Sequence, residues 1–242
     1  MMDVEGDQSL YGFGMSLWKK GGVGMLVSGG CTPEGAVPID RGILDQVRRL
    51  KDETGLLINM HTGLVGKETA SLIASSGVDA ISFDVLGDDS TIREVLKLQK
   101  QVEDYTRSYE TLLDSGLNVV PHILAGFHFG KERGEKRAID IVSGFEPDRA
   151  VLITLIPTKG TGMEDVQPMD RSELLSIARY MRDKIEGDLI LGCMRPKGMS
   201  DMESEILKIG FNGIVLPSRK TLGNIKKEGW KTTSHDNCCA IG

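Results

Sequence analysis

The chain repeats one pattern of apolar and polar positions. A short, β-branched apolar run leads into a polar or glycine-rich bend, and an amphipathic stretch at helical spacing follows. The apolar runs are Val23–Ser28, Leu56–Met60, Ala80–Val85, Asn118–Leu124, Ala150–Ile156, Leu189–Cys193 and Gly213–Leu216. Near-continuous apolar runs of this length predict strands buried on both faces, as in a parallel sheet. The intervening stretches Asp40–Glu53, Lys67–Ser76, Ser172–Lys184 and Asp201–Gly210 predict helices. In the third of these, Leu174, Ile177, Ala178 and Met181 recur at spacings of three and four and give one buried face. Gly77 and Gly210 follow two of the helices and precede strands, the usual place for a left-handed C-cap.

Strand–helix alternation along the whole chain predicts an α/β fold, either a barrel or a doubly wound sheet. A closed barrel of this class has eight strands. Here Leu10–Lys20 reads as a helix ahead of the first apolar run, so the pattern fits a parallel (β/α) barrel from its second strand to its eighth. An open barrel leaves unpaired edges, so a missing N-terminal segment, a partner chain or a rearranged sheet is expected to fill the gap. No change of composition marks a second domain. Residues 1–228 are expected to form the partial barrel, and 229–242 a polar, loosely held tail.

Composition changes this picture little. Of 242 residues, 40% are hydrophobic and 26% charged, enough apolar material for a sizeable core. The formal net charge of -6 argues against nucleic acid as a partner. No apolar run is long enough to span a membrane, and the acidic start Met1 to Gln8 does not read as a signal peptide. The four cysteines, Cys31, Cys193, Cys238 and Cys239, are too scattered for a disulfide framework. A cytoplasmic setting is expected.

In parallel α/β folds the chemistry sits at the carboxyl ends of the strands. The residues there are Ser28-Gly29-Gly30-Cys31, a nest for a carboxylate or phosphate or simply a tight turn, and His61-Thr62, with Thr62 able to cap the next helix. Asp84 ends the third run. Asp88 and Asp89 read as a helix cap and a first-turn residue. His122 lies within the fourth run and His128 beyond it, and Lys131, Glu132, Arg133 and Glu135 read as a solvated helix start. Ile156-Pro157-Thr158-Lys159-Gly160-Thr161-Gly162-Met163 forms a long loop of the kind that holds ligands. Arg195, Lys197 and Arg219 bring cations to the same end, as an anionic group would require. Dinucleotide and P-loop fingerprints are absent, and no cysteine pair has zinc spacing. The adjacent Cys238 and Cys239, near His235, are candidate metal or cluster ligands, a redox pair, or two exposed thiols.

Taken together, Ser28-Gly29-Gly30, the strand His122–Gly126 and the loop Ile156–Met163 with Asp165, Pro168 and Glu173 resemble the radical S-adenosylmethionine (SAM) enzymes around biotin synthase, and in part the two-component lipoyl synthases. The resemblance runs from about Leu10 to Arg219. It implies a barrel that holds SAM and a [4Fe-4S] cluster and makes a 5′-deoxyadenosyl radical for C–H activation on a small-molecule substrate or an acyl or cofactor precursor. It also implies that Ser28, Gly29 and Gly30 meet the SAM amino group, that Ile123 and Gly126 pack near the adenine, and that Asp84, His122, Pro157 and Arg195 line the cofactor. Two departures matter. Cys31 replaces the acidic residue that follows the glycines in the family, and the family's C-x-x-x-C-x-x-C loop has no counterpart in this sequence. A cluster needs three such thiolates. The alternative is therefore a cluster-less barrel that binds SAM or a partner without catalysis.

Overall fold

The structure is a computed structural model that describes residues 9–196, 198–236 and 238–241. The acidic opening Met1 to Gln8 and the expected cation Lys197 lie outside the described residues. Seven strands are present among them: β1 (Gly24–Val27), β2 (Leu57–His61), β3 (Ala80–Val85), β4 (Val119–Ala125), β5 (Arg149–Thr154), β6 (Asp188–Leu191) and β7 (Gly213–Ile214). They follow one another in chain order in a single sheet, and the registered pairs are parallel. Every strand falls on an apolar run read from the sequence. In β3 and β4 nearly every residue is buried, as strands covered on both faces require.

Nine helices are described: α1 (Leu10–Lys19), α2 (Arg41–Glu53), α3 (Lys67–Ala74), α4 (Asp89–Glu94), α5 (Val102–Asp114), α6 (Glu135–Ser143), α7 (Arg171–Lys184), α8 (Ser200–Ile209) and α9 (Arg219–Lys227). Short polar side chains start several of them. Asp40 accepts from the Ile43 amide at 2.8 Å, Asp88 from Thr91 at 2.7 Å and Asp170 from Ser172 at 2.7 Å. Gly210 closes α8 in the left-handed region, and Gly77 has a φ of 78° after α3. Thr62 does not cap α3. The N-cap is Gly66, and the Thr62 side chain is fully buried with its hydroxyl donating to the Gly63 carbonyl at 3.0 Å. The chain first pairs Gly63 with Ala36, so the helix starts four residues later than Thr62 would need. No described helix is long and apolar enough to cross a membrane.

The chain divides into two compact units. The first comprises residues up to Phe83, Arg107–Val119 and the segment from His235. Its core joins Leu44, Val47 and Leu50 of α2 to Ile58 and Met60 of β2 and Ile73 of α3. Phe83 stacks on Tyr109 with ring centroids 5.9 Å apart, and burial pushes the Tyr109 phenol well above its ordinary range. Lys51 of α2 reaches Asp79 at 2.7 Å, and Asp79 also accepts the Ile58 amide. The tail departs from expectation here. Cys238–Ile241 belongs to this unit, Ala240 is buried, and the Ile241 amide donates to the Cys238 carbonyl at 3.0 Å.

The second unit comprises Asp84–Thr106 and Val120–Ser234. In α7 the buried positions include Leu174, Ile177, Ala178 and Met181, the face that periodicity predicts. Gly87 and Gly134 pack backbone to backbone. A Cβ on Gly87 would lie 2.1 Å from the Gly134 carbonyl oxygen, and Gly134 has a φ of 90°. This contact fixes the loop after β3 against the start of α6.

Candidate functional site

In the first unit, β1 runs directly into Ser28-Gly29-Gly30. Ser28 is half-buried, and Gly29, Gly30 and Cys31 are exposed. Neither glycine has a positive φ. A Cβ on Gly29 would touch only Val37, at 3.5 Å, and one on Gly30 would meet nothing within 4 Å. The chain's own packing therefore does not demand glycine at position 30. Gly63 is the contrast: its φ is 60°, and a Cβ there would lie 2.4 Å from the Gly35 carbonyl. Exposed backbone without side chains is what the close approach of a polar ligand needs.

Cys238 forms a second feature of this unit. Asn59 is buried on β2, where its amide meets Ser82 Oγ at 2.8 Å and Cys238 Sγ at 3.2 Å. The neighbouring Cys239 thiol and the Ala240 and Ile241 amides also favour negative charge on Cys238. The Cys239 contact leads these effects; burial opposes them, and together they bring the Cys238 thiol down to about 6. Among the described residues no group of three His, Cys, Asp or Glu is placed to hold a metal ion. Cys238 and Cys239 would need further ligands from elsewhere to do so.

In the second unit the sequence-chosen residues occupy the strand ends in different ways. Asp84 is half-buried on β3. His122 is buried on β4, and its Nδ1 lies 3.0 Å from the Val120 carbonyl. A carbonyl only accepts, so Nδ1 carries the proton. Ile123 is fully buried. Gly126 has a φ of 72°, and its amide donates to Glu135 Oε1 at 2.8 Å. A Cβ there would press on Met169 at 3.1 Å, so this glycine is needed by the chain itself. Pro157 is half-buried at the head of a loop that braces itself: the Gly160 amide donates to Glu164 Oε2 at 2.8 Å, and Thr161 Oγ1 to the Thr158 carbonyl at 2.7 Å.

Arg195 is held inside the protein. Its Nε donates to Glu203 Oε1 at 2.8 Å, and its terminal nitrogens donate to the Gly192 carbonyl at 2.5 Å and the Leu216 carbonyl at 2.9 Å. Glu203 also accepts from the Thr221 hydroxyl at 2.5 Å and the Ser218 amide at 3.1 Å. Burial alone would raise this carboxyl, but those donors and Arg195 hold it below the usual carboxylate range.

Sequence reading missed several groups. Glu135, expected in a solvated helix start, is buried because its carboxylate accepts the Gly126 amide at 2.8 Å and the Arg133 amide at 2.5 Å. Burial nevertheless raises its carboxyl above the ordinary value. His128 is buried rather than open at the mouth. Thr91 Oγ1 donates to Asp88 at 2.8 Å and so accepts from His128 Nδ1 at 3.1 Å, while Arg133 donates to His128 Nε2 at 3.3 Å. This chain of bonds fixes one neutral tautomer. Thr154 ends β5, and its buried Oγ1 has no hydrogen-bond partner among the described residues. Nothing local in the sequence marks it. Position alone, at the end of the run before Pro157, could have drawn attention to it.

Comparison with known proteins places these strand ends in context. No family model matches the chain. It is 25% identical over 226 residues to the biotin synthase of Geotalea daltonii, covering 89% of this chain and 67% of that protein. The biotin synthases of Citrifermentans bemidjiense and Geotalea uraniireducens are 23% and 24% identical. The chain spans only 57% and 60% of their lengths. Two solved structures share its fold. Methylornithine synthase (PylB) superposes with a TM-score of 0.64 at 17% identity, over 95% of this chain and 74% of that one. The FeFe-hydrogenase maturase HydG from Carboxydothermus hydrogenoformans superposes with a TM-score of 0.66 at 13% identity, over 91% of this chain and 58% of that one. The expected fold class, a parallel (β/α) barrel of this type, is the one these neighbours share.

Proposed function

We propose that this chain, a biotin synthase-like relative of the radical SAM enzymes, binds S-adenosylmethionine and is the barrel part of an enzyme that generates a 5′-deoxyadenosyl radical for C–H activation. The observation that carries the reading is the open pair Gly29-Gly30 at the end of β1, where nothing among the described residues excludes a Cβ on Gly30. In this reading the Ser28 hydroxyl and the backbone carbonyls beside it accept from the SAM ammonium, and the backbone amides meet its carboxylate. In the second unit, Thr154 Oγ1 is a buried hydroxyl that a bound polar group would satisfy. The substrate would be a small molecule or an acyl or cofactor precursor, and the setting the cytoplasm.

A [4Fe-4S] cluster does not fit the described residues. It needs three thiolates, and no metal-holding group is found among them. No step through a cluster follows from this chain's residues. The same observation favours a second reading, a SAM-binding or partner-binding barrel without radical chemistry.

The deciding experiment is equilibrium dialysis of the chain against radiolabelled SAM. Saturable binding that Gly30→Val abolishes without lowering thermal stability supports the proposal. No binding by the wild type overturns it. Anaerobic reconstitution with iron, sulfide and a C-x-x-x-C-x-x-C peptide then separates the two readings. Formation of 5′-deoxyadenosine supports the enzyme, and SAM binding without it supports the non-catalytic barrel.

A further inference from the structure

Cys238 and Cys239 are adjacent in the chain, and both are reduced thiols. Cys238 is solvent-exposed and Cys239 half-exposed, so a small reagent reaches the pair. The pair is also held in place. Ala240 beside it is buried, and Asn59, fixed on β2 by Ser82, aims its amide at Cys238 Sγ from 3.2 Å. The Asn59 amide thus donates to Cys238 Sγ right beside a second thiol in the chain. Such an arrangement stabilises negative charge on sulfur, as other donor-rich cysteine sites do. A thiol on a merely solvated tail would have none of these fixed partners.

We propose that Cys238 and Cys239 form a peroxide-reactive site in which Cys238 is the attacking sulfur and Cys239 the resolving one. In the first step Cys238 Sγ attacks the O–O bond of a hydroperoxide. An S–O bond forms, the O–O bond breaks, and the sulfur is oxidised by two electrons to a sulfenic acid. The departing oxygen leaves as water (or as an alcohol from an alkyl peroxide), taking up the proton the thiol gave up. In the second step Cys239 Sγ attacks the sulfenic sulfur, the S–O bond breaks, and a disulfide and a second water result. The hydroperoxide is the only oxidant required. Two consequences follow in the structure. The disulfide has no S–H to donate and its sulfur is a poor acceptor, so the bond from Asn59 is lost. With it goes one of the contacts that hold Cys238–Ile241 on the first unit. The pair then acts as a latch that peroxide opens and a thiol reductant closes. The inference does not depend on SAM binding.

The test uses the full chain, chelator-treated, without SAM. It is exposed to one equivalent of hydrogen peroxide, quenched with N-ethylmaleimide and digested for mass spectrometry. The C-terminal peptide is expected to lose two hydrogens and to take no maleimide, at least tenfold faster than Cys31 or Cys193 oxidises. Dithiothreitol restores both thiols. In Cys239→Ser, a dimedone adduct is expected on Cys238. Asn59→Ala, checked for retained fold by circular dichroism, is expected to slow the reaction several-fold. Equal oxidation rates at all four cysteines overturn the proposal. So does a lasting sulfenic acid in the wild type, because Cys239 would then not resolve it.

Discussion

Arg195 Nε donates to Glu203 Oε1 at 2.8 Å, with both side chains buried and every oxygen of Glu203 engaged. A buried pair of this kind tolerates the loss of neither partner. Glu203→Ala is expected to lower stability by about 3–5 kcal/mol, measured by urea unfolding. A loss below about 1 kcal/mol would show that the pair is solvated instead. The pH dependence has a definite sign. The Glu203 carboxyl is depressed in the folded state. Its contribution is therefore present above the unfolded carboxylate value, about 4.3, and lost as pH falls through the folded value. Urea midpoints measured from about pH 6 downward are expected to fall more steeply in the wild type than in Glu203→Gln.

Gly87 and Gly134 make the sharpest steric prediction. A Cβ on Gly87 would lie 2.1 Å from the Gly134 oxygen and 2.6 Å from the Ala138 nitrogen, both backbone atoms that cannot swing aside. Gly87→Ala is expected to cost about 2–3 kcal/mol. Gly30→Ala, in open space, is expected to change stability by no more than about 0.5 kcal/mol. Parallel melting curves of the two variants check the pair, and equal stability would contradict the described backbone approach.

Thr154 carries a buried hydroxyl with no partner among the described residues. Its desolvation is uncompensated, so the isosteric Thr154→Val is expected to raise stability of the unliganded chain by about 1 kcal/mol. If a bound molecule uses the hydroxyl, the same variant weakens that binding. A destabilised Thr154→Val in urea would mean that the hydroxyl is satisfied after all.

Cys238 should react as a thiolate under mildly acidic conditions. Its thiol titrates at about 6 in the folded chain, against an ordinary value of 9.0. The charged form thus dominates above pH about 6 and is lost below it. Lower basicity also weakens the nucleophile, so the net gain is smaller than the gain in thiolate fraction. Iodoacetamide at pH about 6 is expected to label Cys238 roughly tenfold faster in the folded chain than in urea. Equal rates in the two states would remove the donor cluster as an explanation.

The architecture was legible because its signals are local. Each apolar run became a strand, and the face Leu174, Ile177, Ala178 and Met181 became the buried side of a helix. Asp88 caps its helix as its position suggests. The resemblance carried by Ser28-Gly29-Gly30 and the Pro157 loop agrees with the biotin synthases found by comparison. Thr62 was misread because capping depends on where the first helical turn begins, and the Ala36–Gly63 bridge delays it.

The sequence by itself determined the alternation of elements, the parallel sheet and the families it resembles, since side-chain periodicity and capping act over a few residues. Only the tertiary structure decided what the polar side chains do. Arg195 reads in sequence as a cation for an anionic group and Glu135 as part of a solvated helix start, yet both are buried among fixed partners, because burial follows from packing between distant segments. Asn59 and Cys238 stand 179 positions apart, and no local pattern relates them. Charge, tautomer and thiol reactivity depend on neighbours within a few ångströms, and those neighbours are chosen by the fold.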